Sequence, residues 1–251
     1  MPNKKPYVWA HRGASGYCPE NTMPAFEKAI ELGADGIELD IQETKDGEIV
    51  ICHDEKINRT SDGKGYLKDF TLTQLREFDF SKGRVQKGYE GTKISTMKEV
   101  FELIKPTNLT INIELKTGVV SYKGLEEKII NMTEKYGFTD RVTFSSFNHY
   151  SIKRIKELRP YAKCGFLYMD GTIGMPAYCR FHKIEALHPA FYNMRYDGFL
   201  EDCIKNNIEL NVWTVNEEEH MVTCIKSGVN AIITNYPDRA VDIIKNSAAY
   251  K

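Results

Sequence analysis

The sequence predicts an α/β protein, a closed (β/α)8 or TIM barrel with a small capping insertion after the second strand. Short apolar or alternating runs recur along the 251 residues with amphipathic stretches between them, which is the pattern of parallel strands joined by helices. About eight such units fit a closed barrel of this length better than an open doubly wound sheet, because no GxGxxG motif follows the first run.

The predicted strands are short, and the predicted helices follow most of them. The strands lie near YVWAH, GIELDIQ, LTINIELK, RVTFSSF, AKCGFLYM, IEALHPAF, IELNVWTV and NAIITNY. The helices lie near TMPAFEKAIEL, GLEEKIINMTEKYG, NHYSIKRIKELR, DGFLEDCIKNN, EEEHMVTCIKSG and DRAVDIIKN. Because strands and helices alternate, neighbouring strands are expected to run parallel.

One stretch interrupts this alternation. From about His53 to Ser95 the chain is rich in Gly, Lys and Asp and contains one short helical segment. It is too long for an ordinary loop between a strand and a helix. We therefore predict a single domain over residues 1–251, in which residues 54–95 form an insertion folded over one end of the barrel rather than a linker between domains.

Charge, cysteines and the N-terminus restrict the class of function. The 34 Lys and Arg balance 35 Asp and Glu, so no global field attracts nucleic acid, and recognition of phosphate must be local. Six cysteines without a CxxC pair argue against a zinc ribbon or a redox motif, and we expect reduced thiols rather than a disulfide framework. The N-terminus lacks a secretory apolar region, which predicts a cytoplasmic protein without a stable membrane anchor. A mature secreted form cloned without its leader would look the same.

Three carboxylates are predicted to face the inside of the barrel. Residues two apart in a strand share a face, so Glu38 and Asp40 point away from their apolar neighbours. Glu114 has the same position in a neighbouring strand. Buried carboxylates require a cation, and three of them favour a hard divalent ion such as Mg²⁺ or Ca²⁺. By position alone, a layer of ion pairs with Arg12 and Lys116 is equally consistent with the sequence.

Two histidines and an arginine follow strands near these carboxylates. His11, Arg12 and Gly13 end the first strand, at the end of the barrel where enzymes of this fold place catalytic groups. Arg12 offers a fork of donors that suits phosphate, and His11 transfers protons near neutral pH. His53 ends the apolar run IVIC. The combination favours a catalytic metal site over a layer of ion pairs.

The segment HRGASGYCPENTMPAFEKAIELGADGIELDIQETKDGEIVICHDEKINRTSDGKG resembles the signature of the glycerophosphodiester phosphodiesterase family. The likeness continues through STMKEVFELI, NIELK, SSFNHYSIKRIKELRP, NVWTVNEEEH and AIITNYPD, and so covers nearly the whole chain. It implies a barrel with a small capping insertion and an enzyme that hydrolyses phosphoric diesters.

The resemblance also implies roles for particular residues. His11 and His53 would be the general acid and base, and one divalent ion, Mg²⁺ or Ca²⁺, would be bound by the three carboxylates. The remaining implied residues are Arg12 and Lys116 for the phosphate, Trp213 near the glycerol pocket, and Glu20 and Asn21 as supports of the site. Trp213 could instead fill the barrel core. Cys18 and Asn235 depart from the usual family residues, and we expect neither to touch the chemistry.

The predicted reaction is metal-dependent hydrolysis of a small glycerophosphodiester to glycerol 3-phosphate and an alcohol. The nucleophile is either the substrate's own glycerol hydroxyl or water. One alternative is a lysophospholipase D-type or other lipid phosphodiesterase of the same superfamily, against which the absence of an apolar anchor counts. A second is a barrel that binds phosphodiesters without turnover. The partner is a small molecule, not nucleic acid, and a homodimer is possible.

Overall fold

The computed structural model describes residues 5–83 and 87–247. Residues 84–86 of the predicted insertion and both ends of the predicted domain lie outside these ranges. The strands are β1 (Tyr7–His11), β2 (Gly36–Glu43), β3 (Ile49–Ile51), β4 (Ser95–Thr96), β5 (Thr110–Leu115), β6 (Val142–Ser146), β7 (Lys163–Tyr168), β8 (Ala186–Pro189), β9 (Glu209–Val212) and β10 (Ala231–Thr234). The helices are α1 (Met23–Glu31), α2 (Leu72–Leu75), α3 (Met97–Ile104), α4 (Leu125–Tyr136), α5 (His149–Leu158), α6 (Met175–His182), α7 (Phe199–Asn206), α8 (Glu218–Lys226) and α9 (Pro237–Asn246).

Parallel strands close into a barrel in the order β1-β2-β5-β6-β7-β8-β9-β10, and β10 pairs with β1 to complete the ring. Helices follow the strands and cover the outside. All eight strands predicted from the sequence are present among the described residues, so the predicted barrel is confirmed. In addition, β3 pairs antiparallel with β2, and β4 pairs antiparallel with β3.

Two helices of the barrel were missing from the sequence prediction. Helix α3 begins with a capping box in which Thr96 and Glu99 satisfy each other's backbone N–H groups. The sequence carries this signal as Thr96 followed three residues later by Glu99. Helix α6 carries Pro176 in its first turn, and its Phe181 is 81% exposed, so its apolar face is poorly marked. Among the described residues, no helix is both long and apolar enough to cross a bilayer.

The main core lies between the strands and the surrounding helices. Ile37, Leu39 and Ile41 of β2 are fully buried in it, as the alternation in GIELDIQ predicted. The other face of each strand points into the barrel, where polar groups are frequent. His188, for example, is fully buried there, and its ring fills the space beside Gly165, where an added Cβ would lie 2.3 Å from the ring.

The segment between β3 and β4 has a small apolar core of its own. Its buried members are Val50, Cys52, Ile57, Leu67, Leu75, Phe80 and Ile94. The segment lies against the loop that follows β1, because the Tyr89 hydroxyl is 3.1 Å from the Cys18 sulfur. All the cysteines, which lie within the described residues, are buried free thiols.

Candidate active site

Strand register brings the predicted carboxylates together. His11 pairs with Glu38 across β1 and β2, and Asp40 pairs with Glu114 across β2 and β5. One oxygen from each of the three carboxylates lies within 4.8 Å of the others, and all three side chains are buried. The cluster lies near the C-terminal ends of the strands, where barrels of this type carry their active sites.

The buried carboxylates differ in how easily they ionise. Burial and the neighbouring charges of Asp40 and Glu114 raise the pKa of Glu38 well above its ordinary value. Burial and Asp40 likewise raise the pKa of Glu114. For Asp40 burial acts in the same direction, but the charges of Arg12 and Lys116 and the hydrogen bond from Asn21 together contribute to lowering its pKa below the ordinary value. Burial together with mutual repulsion therefore makes it costly to ionise all three carboxylates at once.

The loop after β1 places Arg12 over the carboxylates. Its backbone is left-handed with φ of 56°, an uncommon conformation for a residue with a side chain, and its N–H donates to Glu38 Oε2 at 3.0 Å. The guanidinium Nη1 donates to Glu20 at 2.7 Å, and Nε lies 3.3 Å from Asp40. Gly13 follows with φ of 77°, and a Cβ there would lie 2.6 Å from the backbone of Ala25.

Lys116 approaches the cluster from the other side. It follows β5, and its Nζ donates to Glu114 at 2.9 Å and lies 3.9 Å from Asp40. Burial opposes the charge of this ammonium group, but Glu114 and Asp40 outweigh burial and raise its pKa. Arg12 and Lys116 thus place two positive groups beside the same carboxylates, at positions suited to the non-bridging oxygens of a phosphodiester.

His11 is hydrogen-bonded by Asn235, the residue that directly follows β10. Its Nδ1 lies 2.7 Å from Oδ1 of Asn235, an oxygen that can only accept, so Nδ1 carries the proton. Nε2 is left free and lies 4.0 Å from Glu38. Burial, reinforced by Arg12, lowers the pKa of His11 to about 3. Asn235, which we expected not to touch the chemistry, thus hydrogen-bonds a residue that is predicted to be catalytic.

His53 reaches the cluster because β3 runs back along β2. The Cys52 N–H donates to the carbonyl of Asp40, so the next residue lies beside the carboxylates. His53 Nδ1 is 2.6 Å from Oδ1 of Asp54, which makes Nδ1 the protonated nitrogen and leaves Nε2 free. Asp54 in turn accepts two hydrogen bonds from Arg59.

The two residues predicted to support the site contact its main groups. Asn21, also left-handed with φ of 59°, donates through Nδ2 to Asp40 Oδ2 at 2.8 Å. Glu20 accepts hydrogen bonds from Arg12 and from Arg59. Burial opposes ionisation of Glu20, but the Arg59 hydrogen bond and the charge of Arg12 outweigh it and lower its pKa to about 2.

Trp213 directly follows β9 and packs against the apolar cluster of Trp9, Ala231 and Ile233. It is half-buried, its Nε1 donates to the carbonyl of His188 at 2.8 Å, and its ring meets Phe147 edge to face at 5.6 Å. Phe147 is 43% exposed, and Lys116 Nζ is 6.0 Å from the centre of its ring. The edge-to-face rings of Trp213 and Phe147 form an aromatic corner beside Lys116, one of the two candidates for phosphate binding.

The carboxylate cluster suits a hard divalent cation. Oδ1 of Asp40 is buried and accepts no hydrogen bond from the described residues, so it is available as a ligand. The donor set consists of carboxylate oxygens, which Mg²⁺ and Ca²⁺ prefer. A bound cation would also offset the burial and the repulsion between carboxylates that raise the pKa of Glu38 and Glu114.

Four residues with direct contacts here were missed as functional candidates by the sequence analysis. They are Asp54, Arg59, Phe147 and Asn235. Asp54 directly follows His53 in the HD pair, which was a readable signal. Arg59 and Asn235 act on partners 39 and 224 positions away, and no local pattern indicates such pairings.

Comparison with known proteins gives a consistent result. The model of the glycerophosphoryl diester phosphodiesterase family matches residues 11–239. A glycerophosphodiester phosphodiesterase of Caldanaerobacter subterraneus subsp. tengcongensis is 44% identical over 241 residues, which is 96% of this chain and 98% of that protein. One from Bacillus altitudinis is 38% identical and covers 94% of this chain and 97% of its own length.

Solved structures agree with the sequence matches. A phosphodiesterase of Oleispira antarctica in complex with the product sn-glycerol-3-phosphate aligns with a TM-score of 0.83 and 27% identity, covering 96% of this chain and 97% of that one. A glycerophosphodiester phosphodiesterase of Thermotoga maritima aligns with a TM-score of 0.79 and 28% identity, covering 96% and 99%. The resemblance inferred from the motifs is confirmed.

Proposed function

The chain belongs to the glycerophosphoryl diester phosphodiesterase family, and on this premise we propose that it hydrolyses glycerophosphodiesters to glycerol 3-phosphate and an alcohol, using one divalent cation and two histidines. It is an enzyme of the phosphodiesterase class. The product bound by the Oleispira antarctica enzyme supports glycerol 3-phosphate as the product here. We further propose that residues 1–251 form one domain. The single observation that carries the proposal is the buried carboxylate cluster between two histidines with free Nε2 atoms.

Substrate binding is assigned to the positive groups around the cluster. Glu38, Asp40 and Glu114 would hold Mg²⁺ or Ca²⁺, which when bound polarises the phosphoryl group and neutralises developing charge. Arg12 and Lys116 would bind the non-bridging phosphate oxygens by charge-assisted hydrogen bonds. The corner formed by Trp213 and Phe147 would contact the organic part of the substrate.

Proton transfer is assigned to the two imidazoles. In each, the Nδ1–H is held by a neighbouring oxygen, so the free Nε2 is the atom that exchanges a proton with the substrate. One histidine takes a proton from the nucleophile as the new P–O bond forms. The other, in its protonated form, gives a proton to the departing alkoxide as the P–O bond to the alcohol breaks. The nucleophile is either water, which gives glycerol 3-phosphate directly, or the substrate's own glycerol hydroxyl, which gives a cyclic phosphate that water then opens with the two proton transfers reversed. After direct attack by water, His11 and His53 regain their starting states by exchange with solvent.

The test is a discontinuous assay of glycerol 3-phosphate released from glycerophosphocholine. His11→Ala and His53→Ala should each lower kcat by on the order of 10²-fold or more, because acid and base catalysis contribute factors of that size. Lys128→Ala provides the matched control, because Lys128 pairs with Glu43 on the exposed surface. Wild-type rates in both histidine variants would contradict the mechanism.

A second candidate is supported by the surface around the mouth. Exposed apolar side chains occur on four consecutive βα loops or the helix starts that follow them, which the sequence analysis did not anticipate. These residues, the apolar rim, are Val119, Phe147, Tyr150, Met169, Ile173, Tyr192 and Tyr196. A cleft of about 410 Å³ opens between α6 and α7, lined by Ile173, Pro176 and Phe199 among others. Its size and apolar lining suit part of an acyl chain, which favours a lysophospholipid as an additional substrate.

Parallel assays distinguish the two substrates. An enzyme restricted to small diesters should hydrolyse glycerophosphocholine and leave lysophosphatidylcholine intact. An enzyme that uses the apolar rim should act on both, and Ile173→Asp should lower the rate on lysophosphatidylcholine alone, because Ile173 is fully exposed and lines the cleft. Equal effects of Ile173→Asp on both substrates would count against use of the rim.

A further inference from the structure

Arg59, which belongs to the segment between β3 and β4, forms an unusually complete set of ion pairs for a residue whose side chain is 43% exposed. Nη1 and Nη2 donate to the two oxygens of Glu20 at 2.7 and 2.8 Å. Nε and Nη2 donate to the two oxygens of Asp54 at 2.7 and 3.0 Å. Exposed ion pairs usually contribute little, but a guanidinium that is bidentate to two carboxylates at once is the exception, because its geometry is fixed.

Each of these carboxylates contacts one group of the active site. Asp54 accepts the Nδ1–H of His53 at 2.6 Å. Glu20 accepts from Arg12 Nη1 at 2.7 Å, through the same oxygen that Arg59 Nη2 contacts. Arg59 is therefore linked to His53, the proposed proton-transfer group, through Asp54 alone. It is linked to Arg12, the proposed phosphate ligand, through Glu20 alone. It touches neither of them directly.

The orientation of His53 depends on Asp54 staying in place. Without a second partner, an Asp54 carboxylate that is about one-third exposed would rotate among several orientations, and the ring that it holds would rotate with it. With Arg59 bound to both oxygens, the carboxylate has one orientation, and the free Nε2 of His53 points in one direction. The same reasoning applies to Glu20 and the guanidinium of Arg12.

We propose that Arg59 is a positioning residue, which couples the capping insertion to the reaction by holding His53 through Asp54 and Arg12 through Glu20. The roles of His53 and Arg12 in this inference rest on the proposed function. A purely structural role would be different: Arg59 would then only attach the insertion to the loop after β1. In that case its loss would lower stability without a specific effect on the reaction.

The first test compares Arg59→Ala with Arg76→Ala. Arg76 is the matched control, because it lies in the same insertion, is 40% exposed and pairs with Glu99 at 2.6 Å. Arg59→Ala should lower kcat/KM for glycerophosphocholine by about 10- to 100-fold, the range typical of removing a group that orients a catalytic side chain. Both kcat, through His53, and KM, through Arg12, should change. Arg76→Ala should keep wild-type kinetics.

Two additional variants separate positioning from folding. Arg59→Lys keeps the positive charge but cannot donate to both oxygens of Glu20 and of Asp54 as the guanidinium does. Its kcat/KM should therefore lie between those of wild type and Arg59→Ala. Guanidinium at a concentration far below the denaturing range should restore part of the activity of Arg59→Ala, because the vacated site is open to solvent. Asp54→Asn should cost less in the Arg59→Ala background than in wild type, because the two residues act in one chain of contacts.

A substrate-independent measurement keeps the inference separate from the proposed function. In ¹⁵N-labelled protein, the histidine ring spectrum should show His53 in a single Nδ1–H tautomer in wild type and Arg76→Ala, and in mixed tautomers in Arg59→Ala. If wild type does not hydrolyse glycerophosphodiesters, the proposed function fails while this spectrum still tests Arg59. An unchanged His53 spectrum together with wild-type kinetics in Arg59→Ala would overturn the inference. So would a kinetic loss that follows the melting temperature and does not respond to guanidinium.

Discussion

Replacing Gly13 with alanine should destabilise the protein more than the same change at Gly137. Both glycines are left-handed, with φ of 77° and 73°, so alanine is strained to a similar extent at either site. Their surroundings differ. A Cβ at position 13 would lie 2.6 to 2.7 Å from backbone and side-chain atoms of Ala25, whereas at position 137 no described atom beyond the glycine and its two chain neighbours lies within 4 Å of an added Cβ.

The expected difference in melting temperature follows from the cost of the left-handed backbone and from the overlap with Ala25. A left-handed conformation costs a residue with a Cβ about 1–2 kcal/mol, and this cost is common to both variants. The overlap with α1 adds about 1–3 kcal/mol at position 13, because the backbone of Ala25 must shift to admit the methyl group. At about 2–4 °C per kcal/mol for a chain of this size, Gly13→Ala should melt about 2–12 °C below Gly137→Ala.

Thermal denaturation of the two variants and wild type measures this difference directly. A kinetic assay should also separate them, because a shift at Gly13 moves the Arg12 backbone that donates to Glu38. Gly13→Ala should therefore raise KM for glycerophosphocholine, and Gly137→Ala, at the end of α4, should leave it unchanged. Equal melting temperatures in the two variants would refute the close contact between the loop and α1.

Two further predictions concern side chains that contact the proposed site. Asn235→Ala removes the acceptor on His11 Nδ1 and should lower kcat for glycerophosphocholine more than it raises KM; a change in KM alone would mean that Asn235 does not act through His11. Phe147→Ala should alter KM for glycerophosphocholine and keep the melting temperature near that of wild type, because the ring is 43% exposed; an unaltered KM would exclude contact between Phe147 and the substrate.

The barrel could be predicted from the sequence because its strands are marked by local patterns. Alternation in GIELDIQ and LTINIELK separates the carboxylates from the apolar residues, and the register of β2 and β5 then brings Asp40 beside Glu114. Period-two alternation depends only on neighbouring residues, so it can be read without knowledge of the fold. The three carboxylates meet inside the barrel for this reason, although their chemical roles stay predictions.

The contacts that orient these residues could not be predicted in the same way. Asn235 meets His11 because the barrel closes β10 onto β1, which joins the two ends of the chain. Arg59 meets Glu20 because the insertion folds back onto the loop after β1. Such pairings depend on tertiary structure and leave no periodic signal. Helix α6 could not be predicted for another reason. Its aromatic residues Tyr178 and Phe181 are exposed, so apolar residues do not mark only its buried face.

Predictions of cytoplasmic location and of a homodimer stay predictions. The balanced charge of 34 basic and 35 acidic residues is consistent with the arrangement found at the site, where positive groups are local. Arg12 and Lys116 contact the carboxylate cluster, and Arg59 lies further out, where it pairs with Glu20. Recognition of a small anionic diester therefore requires no excess positive charge on the chain as a whole.

The measurement that tests the central claim most directly is a metal-depletion experiment on the wild-type enzyme. Glycerophosphocholine hydrolysis is assayed after chelation and again after Mg²⁺, Ca²⁺ or Mn²⁺ is supplied, while calorimetry measures binding of the same ions to wild type, Asp40→Asn and Glu114→Gln. The account predicts loss of activity on depletion, recovery with at least one ion, and weakened binding of that ion in both variants. Full turnover by the metal-stripped enzyme, or unchanged ion binding in the variants, would contradict it.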